Sequence, residues 1–340
     1  MTQDPPHHDP RADVRLSWTR AALRDPAAVP VRASTDAGFR SYWRVHAGDA
    51  THIVMDSPPD KEDVRPWLRV HALLDAGGVR VPRVLAEDAE AGFVLLEDLG
   101  ADTYLHVING DNADALFDDA VAQLLRLQAI PPPPDIPSYD DALLARELRL
   151  FDEWFCARHL GMDLDCADMD ALDVSYRVLV DAALAQPQVL VHRDFMPRNL
   201  MPASDGPAVL DFQDAVRGPI AYDALSLFKD AFLSWPEERA DAWLDRYHAR
   251  AVDAGLPVPA LPRFRRDADL IGLHRHLKVI GIFARLNHRD DKPKYLADVP
   301  RFFGYLDAVL PKYAELAPLR RFIEHKVKPA MARRDGTVGA

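Results

Sequence analysis

His192-Arg193-Asp194-Phe195-Met196-Pro197-Arg198-Asn199-Leu200-Met201, followed by Ala208-Val209-Leu210-Asp211-Phe212-Gln213-Asp214, are the two runs that decide the fold. Residues 199–201 are apolar and strand-like. Residues 202–207 hold Ser, Asp, Gly and two prolines, the composition of a turn. Residues 208–210 read as the returning strand. An antiparallel hairpin that pairs Met201 with Ala208 puts Asn199 opposite Leu210 and lets Asp211 emerge beside Asn199 at the open end. Asp194 lies on the loop that enters the same end.

Two carboxylates and one amide are therefore expected to converge. Such a set suits a hard cation, because magnesium takes one or two oxygens from protein and leaves the rest to phosphates and water. A further acid beside it can orient an attacking hydroxyl and accept its proton. The spacing is His-Arg-Asp, four residues, Asn, then Asp-Phe after a short hairpin. It resembles the catalytic loop and metal-binding Asp of protein kinases. Asp211 is followed by Phe212-Gln213-Asp214 and not by glycine, and Gly218-Pro219-Ile220-Ala221-Tyr222-Asp223 leads straight towards a helix with no long activation loop. In that respect the chain is similar to the aminoglycoside phosphotransferase-like branch of the kinase fold.

Working outward, residues 14–23 read as a short helix. Residues 39–45 and 51–55 read as a hairpin behind a polar, small-residue loop, Ser34-Thr35-Asp36-Ala37-Gly38. Residues 61–76 carry Val64, Trp67, Leu68, His71 and Leu74 on one helical face, stopped by Gly77-Gly78. Residues 81–85 and 93–96 are strands. Beyond residue 100 the pattern is mainly helical: 113–129, ended by Pro131–Pro134, then 140–159, 172–186 and a helical tail from 223 to about 322. The expected class is α+β, a bilobal protein-kinase-like fold with a small antiparallel-sheet N-lobe and a mainly helical C-lobe. Its expected divisions are a disordered tail at 1–12, the nucleotide-binding lobe at 13–100, the helical lobe with catalytic loop and sugar site at 101–328, and a disordered tail at 329–340.

Phe39-Arg40-Ser41-Tyr42-Trp43-Arg44 and Met55-Asp56-Ser57-Pro58-Pro59, with the catalytic stretch and residues 210–223, resemble the bacterial N-acetylmuramate/N-acetylglucosamine anomeric kinases over about residues 30–235. The resemblance implies ATP and magnesium as cofactors and phosphorylation of the C1 hydroxyl of an N-acetyl sugar, in cell-wall recycling towards UDP-N-acetylmuramate. It implies Asp194 as the base and Asn199 and Asp211 as magnesium ligands. It also implies Ser34 through Gly38 and Phe39 as the loop over the phosphates, and residues 96–99, with Glu97 and Leu99, as the hinge whose backbone meets adenine. Arg198, Gln213 and Asp214 flank the catalytic residues and are candidates for sugar contacts. His192 is expected to orient the loop through its ring. Asp223 is either a helix N-cap or a contact to that loop. Tyr42 and Trp43 are expected to pack in the sheet. Kinase-like folds place a phosphate-binding lysine near the end of the third strand. Here Met55-Asp56 occupies that place, and Lys61 is the only lysine before Lys229. Arg44, on the preceding strand, is the candidate substitute.

Composition bounds the alternatives. The chain has 340 residues, 48% hydrophobic and 28% charged, enough apolar material for a core in two lobes. The net charge of -12 is the wrong sign for a non-specific nucleic-acid or polybasic membrane binder. No segment approaches the ~18 apolar residues of a membrane span, and residues 1–10 lack the apolar centre of an export signal. A cytoplasmic monomer acting on a small-molecule sugar is the expectation. Cys156 and Cys166 give no disulfide framework. Two other readings fit the residues: a kinase of another small alcohol (aminoglycoside, choline, homoserine or thiosugar), and a nucleotide-binding pseudokinase, which the missing lysine favours.

Overall fold

Residues 9–34 and 39–334 are described by a computed structural model. The chain packs as two units, residues 1–102 with 201–213, and residues 103–200 with 214–340.

The first unit is an antiparallel five-stranded sheet with two helices. Its elements are α1 (Ala12–Leu23), β1 (Val31–Ser34), β2 (Ser41–Ala47), β3 (Ala50–Asp56), α2 (Arg65–Ala76), β4 (Val84–Asp88) and β5 (Phe93–Glu97), with strand order β1-β2-β3-β5-β4. Strand alternation sorts the side chains into two faces. Val45, Val54, Phe93 and Leu95 form one buried cluster, closed by Trp18 and Leu23 of α1 and by Trp43. Trp18 stacks on Phe93 at 5.3 Å, and Trp43 packs against the same cluster, as expected of a residue that packs in the sheet. Val94 pairs with Met55, and both are buried on the opposite face. Gly92 sits at φ 76°, and a Cβ there would meet the Ser57 carbonyl oxygen at 1.9 Å, so the β4–β5 turn requires glycine.

Some expectations of this half are corrected. Residues 9–12, expected within a disordered tail, are ordered, and α1 begins at Ala12. Asp56 is 1% exposed and receives Arg11 Nε at 2.7 Å and Arg15 Nη1 at 2.9 Å, which fixes α1 and the turn before it. β1 was not expected. It is a four-residue edge strand whose Val31 is exposed, too short and too polar to stand out by periodicity. The helix expected from residue 61 begins at Arg65, after turns in which Lys61 N and Glu62 N donate to the Pro58 carbonyl.

The second unit is helical. It holds α3 (Tyr104–Val107), α4 (Ala113–Ala129), α5 (Asp141–Leu150), α6 (Cys166–Leu184), β6 (Gln188–Val191), β9 (Val216–Pro219), α7 (Ala221–Phe228), α8 (Glu237–Asp253), α9 (Leu261–Asp290), α10 (Val299–Val309), α11 (Ala317–Phe322) and α12 (Lys328–Arg334); the division between the units falls within β7 (Leu200–Met201), and β8 (Ala208–Val209) belongs to the first unit. The 30-residue α9 is the spine, with α5, α6, α7 and α10 packed round it. Gly281 lets α9 approach the Leu150 backbone, where a Cβ would sit 2.3 Å away.

The helix expected over 140–159 continues beyond α5 as wider π-type turns, Phe151–His159. α6 begins six residues before the expected start, because Asp165 and Asp168 cap each other's backbone N–H groups at 2.8 and 3.3 Å. Residues expected to be an unstructured tail from 329 are helical through Arg334, with Ala330 buried. The helical tail expected to run on from 223 breaks after Phe228 and resumes at Glu237.

Candidate active site

In the second unit, β6 pairs antiparallel with β9, Val191 opposite Val216, and delivers His192 into the interior with no exposure. The chain then turns through Arg193, which has φ 75°, a left-handed conformation uncommon for a side chain of this size. Three bonds hold that turn. His192 N donates to Asp223 Oδ2 at 2.7 Å and Arg193 N to Asp223 Oδ1 at 3.0 Å. Asp194 N donates to His192 Nδ1 at 3.2 Å, so this ring nitrogen is the acceptor and orients the loop.

Asp223 lies in the first turn of α7, whose residue before the helix is Ile220, so the N-cap reading is corrected: its carboxylate serves the loop. Burial pushes that carboxyl up to about 6, against the pull of His192 and the two backbone bonds.

Asn199 is not in a strand. It ends a 3-10 turn, Pro197–Asn199, because Pro197 starts a tight turn and Asn199 N donates to Met196 O at 2.8 Å. Its Nδ2 donates to the Asp194 carbonyl at 2.9 Å. The amide nitrogen makes that bond, so its oxygen remains an acceptor suited to a hard cation. Asp194 is thus pinned on both sides through its backbone, with a half-buried side chain.

Beneath the loop is a charged cluster that the motif gave no sign of. Glu147 Oε1 accepts from Arg193 Nη2 and from Lys278 Nζ, the latter at 2.9 Å, and Oε2 accepts from the Tyr139 hydroxyl. Burial pushes the Glu147 carboxyl up, but Lys278, Arg193 and His274 outweigh it and hold it at about 2. The same cluster raises Lys278 against its own burial, through Tyr222 and Glu147. Arg198 is exposed and stacks over Phe232 at 5.0 Å, and Asp214 is exposed.

In the first unit, Asp211 is exposed with φ 62°, while the next residue, Phe212, is buried against Trp67 at 5.1 Å and His71 at 6.0 Å. Phe212 anchors the segment and Asp211 projects from it. Gln213 Nε2 donates to Asp211 Oδ1 at 2.9 Å, and Gln213 Oε1 accepts from Arg40 Nη1 at 3.0 Å. Arg40 Nη2 meets Glu62 Oε1 at 2.9 Å. Neither Arg40 nor Glu62 was singled out by sequence reasoning.

Arg44 is corrected as the substitute for the lysine. Its Nε and Nη2 take both oxygens of Asp98, at 2.5 and 2.9 Å, and Nη2 also donates to the Gly100 carbonyl at 2.8 Å. The bidentate pair commits its charge to residues 98–100. Glu97 accepts from Arg80, from Arg83 N at 2.7 Å and from Arg83 Nε at 3.0 Å, so its side chain braces the strand end. Leu99 is half-buried, and Phe39 is 65% exposed. Ser34 closes β1, and Gly38 lies outside the described residues.

In the second unit a left-handed loop pins one acid, and in the first unit a buried phenylalanine anchors a projecting acid. The chain belongs to the phosphotransferase enzyme family, which matches residues 31–266, and it is a kinase with an alcohol as acceptor. It is 49% identical over 329 residues to the N-acetylmuramate/N-acetylglucosamine kinase of Pseudomonas putida, covering 94% of this chain and 97% of that one. It is 52% identical over 295 residues to the protein of the same name from Pseudomonas aeruginosa, covering 86% and 87%. A solved aminoglycoside phosphotransferase with ADP bound has the same fold, with a TM-score of 0.57 at 16% identity over 87% of this chain and 97% of that chain. Among the described residues no helix is long and apolar enough to cross a membrane.

Proposed function

We propose that this chain transfers the γ-phosphoryl group of ATP to the C1 hydroxyl of N-acetylmuramate or N-acetylglucosamine, in cell-wall recycling. The acceptor rests on one observation, the 49% identity over nearly the whole length of a relative named for these two sugars. The chemistry rests on the pinned loop. Asp194 accepts the hydroxyl proton as the O1–P bond forms and the bond from phosphorus to the β,γ-bridging oxygen breaks, releasing ADP. An anomeric hydroxyl is more acidic than an ordinary alcohol, so one carboxylate suffices for that proton.

Asn199 and Asp211 are the oxygen donors that would hold magnesium, and both are hard ligands of the kind that ion takes. Bound there, magnesium would offset charge on the phosphates. Arg198 and Asp214 are both exposed beside these residues in sequence and are the proposed sugar contacts. Gln213 acts on Asp211 through its amide instead. Glu97 and Leu99 place the hinge backbone for adenine.

The test is to incubate the purified chain with ATP, magnesium and a panel of N-acetyl sugars, aminoglycosides, choline and homoserine, and to detect products by mass. A phosphate added only to the N-acetyl sugars supports the proposal. A phosphate on choline or aminoglycosides alone removes the sugar assignment, and no product from any acceptor removes the kinase assignment in favour of a nucleotide-binding module.

A further inference from the structure

We propose that Arg40 takes the place of the strand lysine: held by Glu62 and Gln213 beside Asp211, it is the cation that meets the nucleotide's phosphates. This rests on the kinase reading above and adds the residue that the sequence leaves open.

The end of the third strand cannot carry that role. Asp56 stands there, buried, and its carboxylate is filled by Arg11 and Arg15. The charge at this position fastens α1 to the sheet. Several cations of the same unit are engaged away from Asp211. Arg44 is clamped on Asp98, Arg80 pairs with Glu97 and Asp205, and Arg83 pairs with Glu97. Lys61 is exposed and lies 3.7 Å from Asp60.

Arg40 is placed differently. Its side chain is only 14% exposed, and one amide links it to the metal-ligand candidate. Gln213 accepts from Arg40 through Oε1 and donates to Asp211 through Nε2. That bridge fixes the separation of the cation from the carboxylate. Glu62 holds the other arm of the guanidinium. A carboxylate that orients a phosphate-binding cation is the same division of labour as the Lys–Glu pair of protein kinases. A guanidinium has five N–H donors, and among the described residues the bonds to Gln213 and Glu62 use one on each terminal nitrogen, so donors remain for phosphate oxygens. Its planar fork suits those oxygens, and its charge persists at every working pH. The field of Tyr42, Glu62 and Asp211 raises Arg40 further despite its burial.

The test compares adenosine with ADP. Calorimetry would measure both affinities, with magnesium present, for the full-length chain and its Arg40→Ala, Arg40→Lys and Glu62→Gln variants. Steady-state assays would give KM for ATP and for sugar. Arg40→Ala is expected to weaken ADP by roughly ten- to a hundredfold, the size of a lost charged hydrogen bond, and to leave adenosine affinity unchanged. The ATP KM should rise with it while the sugar KM stays. Arg40→Lys should restore part of the loss, and Glu62→Gln should weaken ADP less than Arg40→Ala. An equal loss for adenosine and ADP would make Arg40 a fold element and overturn the proposal, as would unchanged ADP affinity. The binding contrast stands apart from turnover. If the unmodified chain makes no sugar phosphate, the kinase reading fails, and the ADP-to-adenosine ratio still decides Arg40's role.

Discussion

Glu147→Gln tests whether the buried cluster holds the catalytic loop. The carboxylate serves three donors, Arg193, Lys278 and Tyr139, and only 8% of its side chain is exposed. Glutamine offers one oxygen, and its NH₂ group turns a donor towards a donor. Two cations, Lys278 at 9% and Arg193 at 18% exposure, then lack their counter-ion. Removing one partner of a buried pair costs about 3–5 kcal/mol. Two further figures fall within that range. A carboxyl held at about 2 against an ordinary 4.5 corresponds to roughly 3 kcal/mol. Lys278 can escape the loss by giving up its proton at pH 7, which from an ordinary 10.5 costs at most about 5 kcal/mol. The expected loss is about 3 kcal/mol, a large share of a typical 5–15 kcal/mol. Urea unfolding followed by circular dichroism should show the midpoint fall by about 1 M, with a slope of about 3 kcal/mol/M. Turnover should fall as well, because Arg193 carries the left-handed turn before Asp194. The double variant Glu147→Leu with Lys278→Met removes both charges of one pair and should recover part of the stability. A single variant within about 0.5 kcal/mol of the parent chain, or a double variant worse than the sum of its singles, would refute this account of the cluster.

Asp194→Asn removes the proton acceptor and leaves both backbone bonds, so turnover should drop roughly 10²–10⁴-fold with ADP affinity kept; near-normal turnover would remove Asp194 as the base. Asp211→Ala should abolish, and Asn199→Ala weaken, productive Mg·ATP binding, read from magnesium titrations of turnover. An unchanged metal requirement in both would exclude them as ligands. Asp223 titrates at about 6 in the folded chain against 3.8 ordinarily, so the folded state takes its proton first. Its contribution to stability is full below pH 4 and declines as pH rises through about 6, while protonation removes an acceptor from the loop's N–H groups. Turnover measured from pH 5 to 8 should therefore fall on the acid side with a midpoint near 6, and Asp223→Asn should flatten that step; a flat profile in the unmodified chain contradicts it.

What the sequence discloses depends on how local the signal is. α4 matches its expected bounds to the residue, because an amphipathic repeat is followed at once by four prolines. β5 opens with four apolar residues, Phe93, Val94, Leu95 and Leu96, and is equally plain. The spacing from His192 to Asp211 is local chemistry, so the fold class is legible there. Asn199 misreads as a strand residue because Leu200 and Met201 extend the apolar run and Pro197's turn does not show in periodicity. The choice between Arg40 and Arg44 is not in the sequence at all. Both fall in the strand expected over residues 39–45, four residues apart and so on one face by alternation; Asp98 engages Arg44, and nothing in the run announces that bond. The Arg193–Glu147 pair spans 46 residues and its members sit in an ordinary helix and an ordinary motif. Asp223 has the look of a helix cap, and only the folded turn brings its oxygens to His192 and Arg193.

The central claim is that an anomeric hydroxyl of an N-acetyl sugar becomes phosphorylated. Phosphorus NMR of the reaction of this chain with ATP, magnesium and N-acetylmuramate measures it directly. The account predicts a new sugar-phosphate resonance coupled to the anomeric proton, formed with equimolar ADP, absent with Asp194→Asn and lost after mild acid. A product that resists mild acid and keeps its reducing end would contradict it, and so would ADP formed with no sugar phosphate.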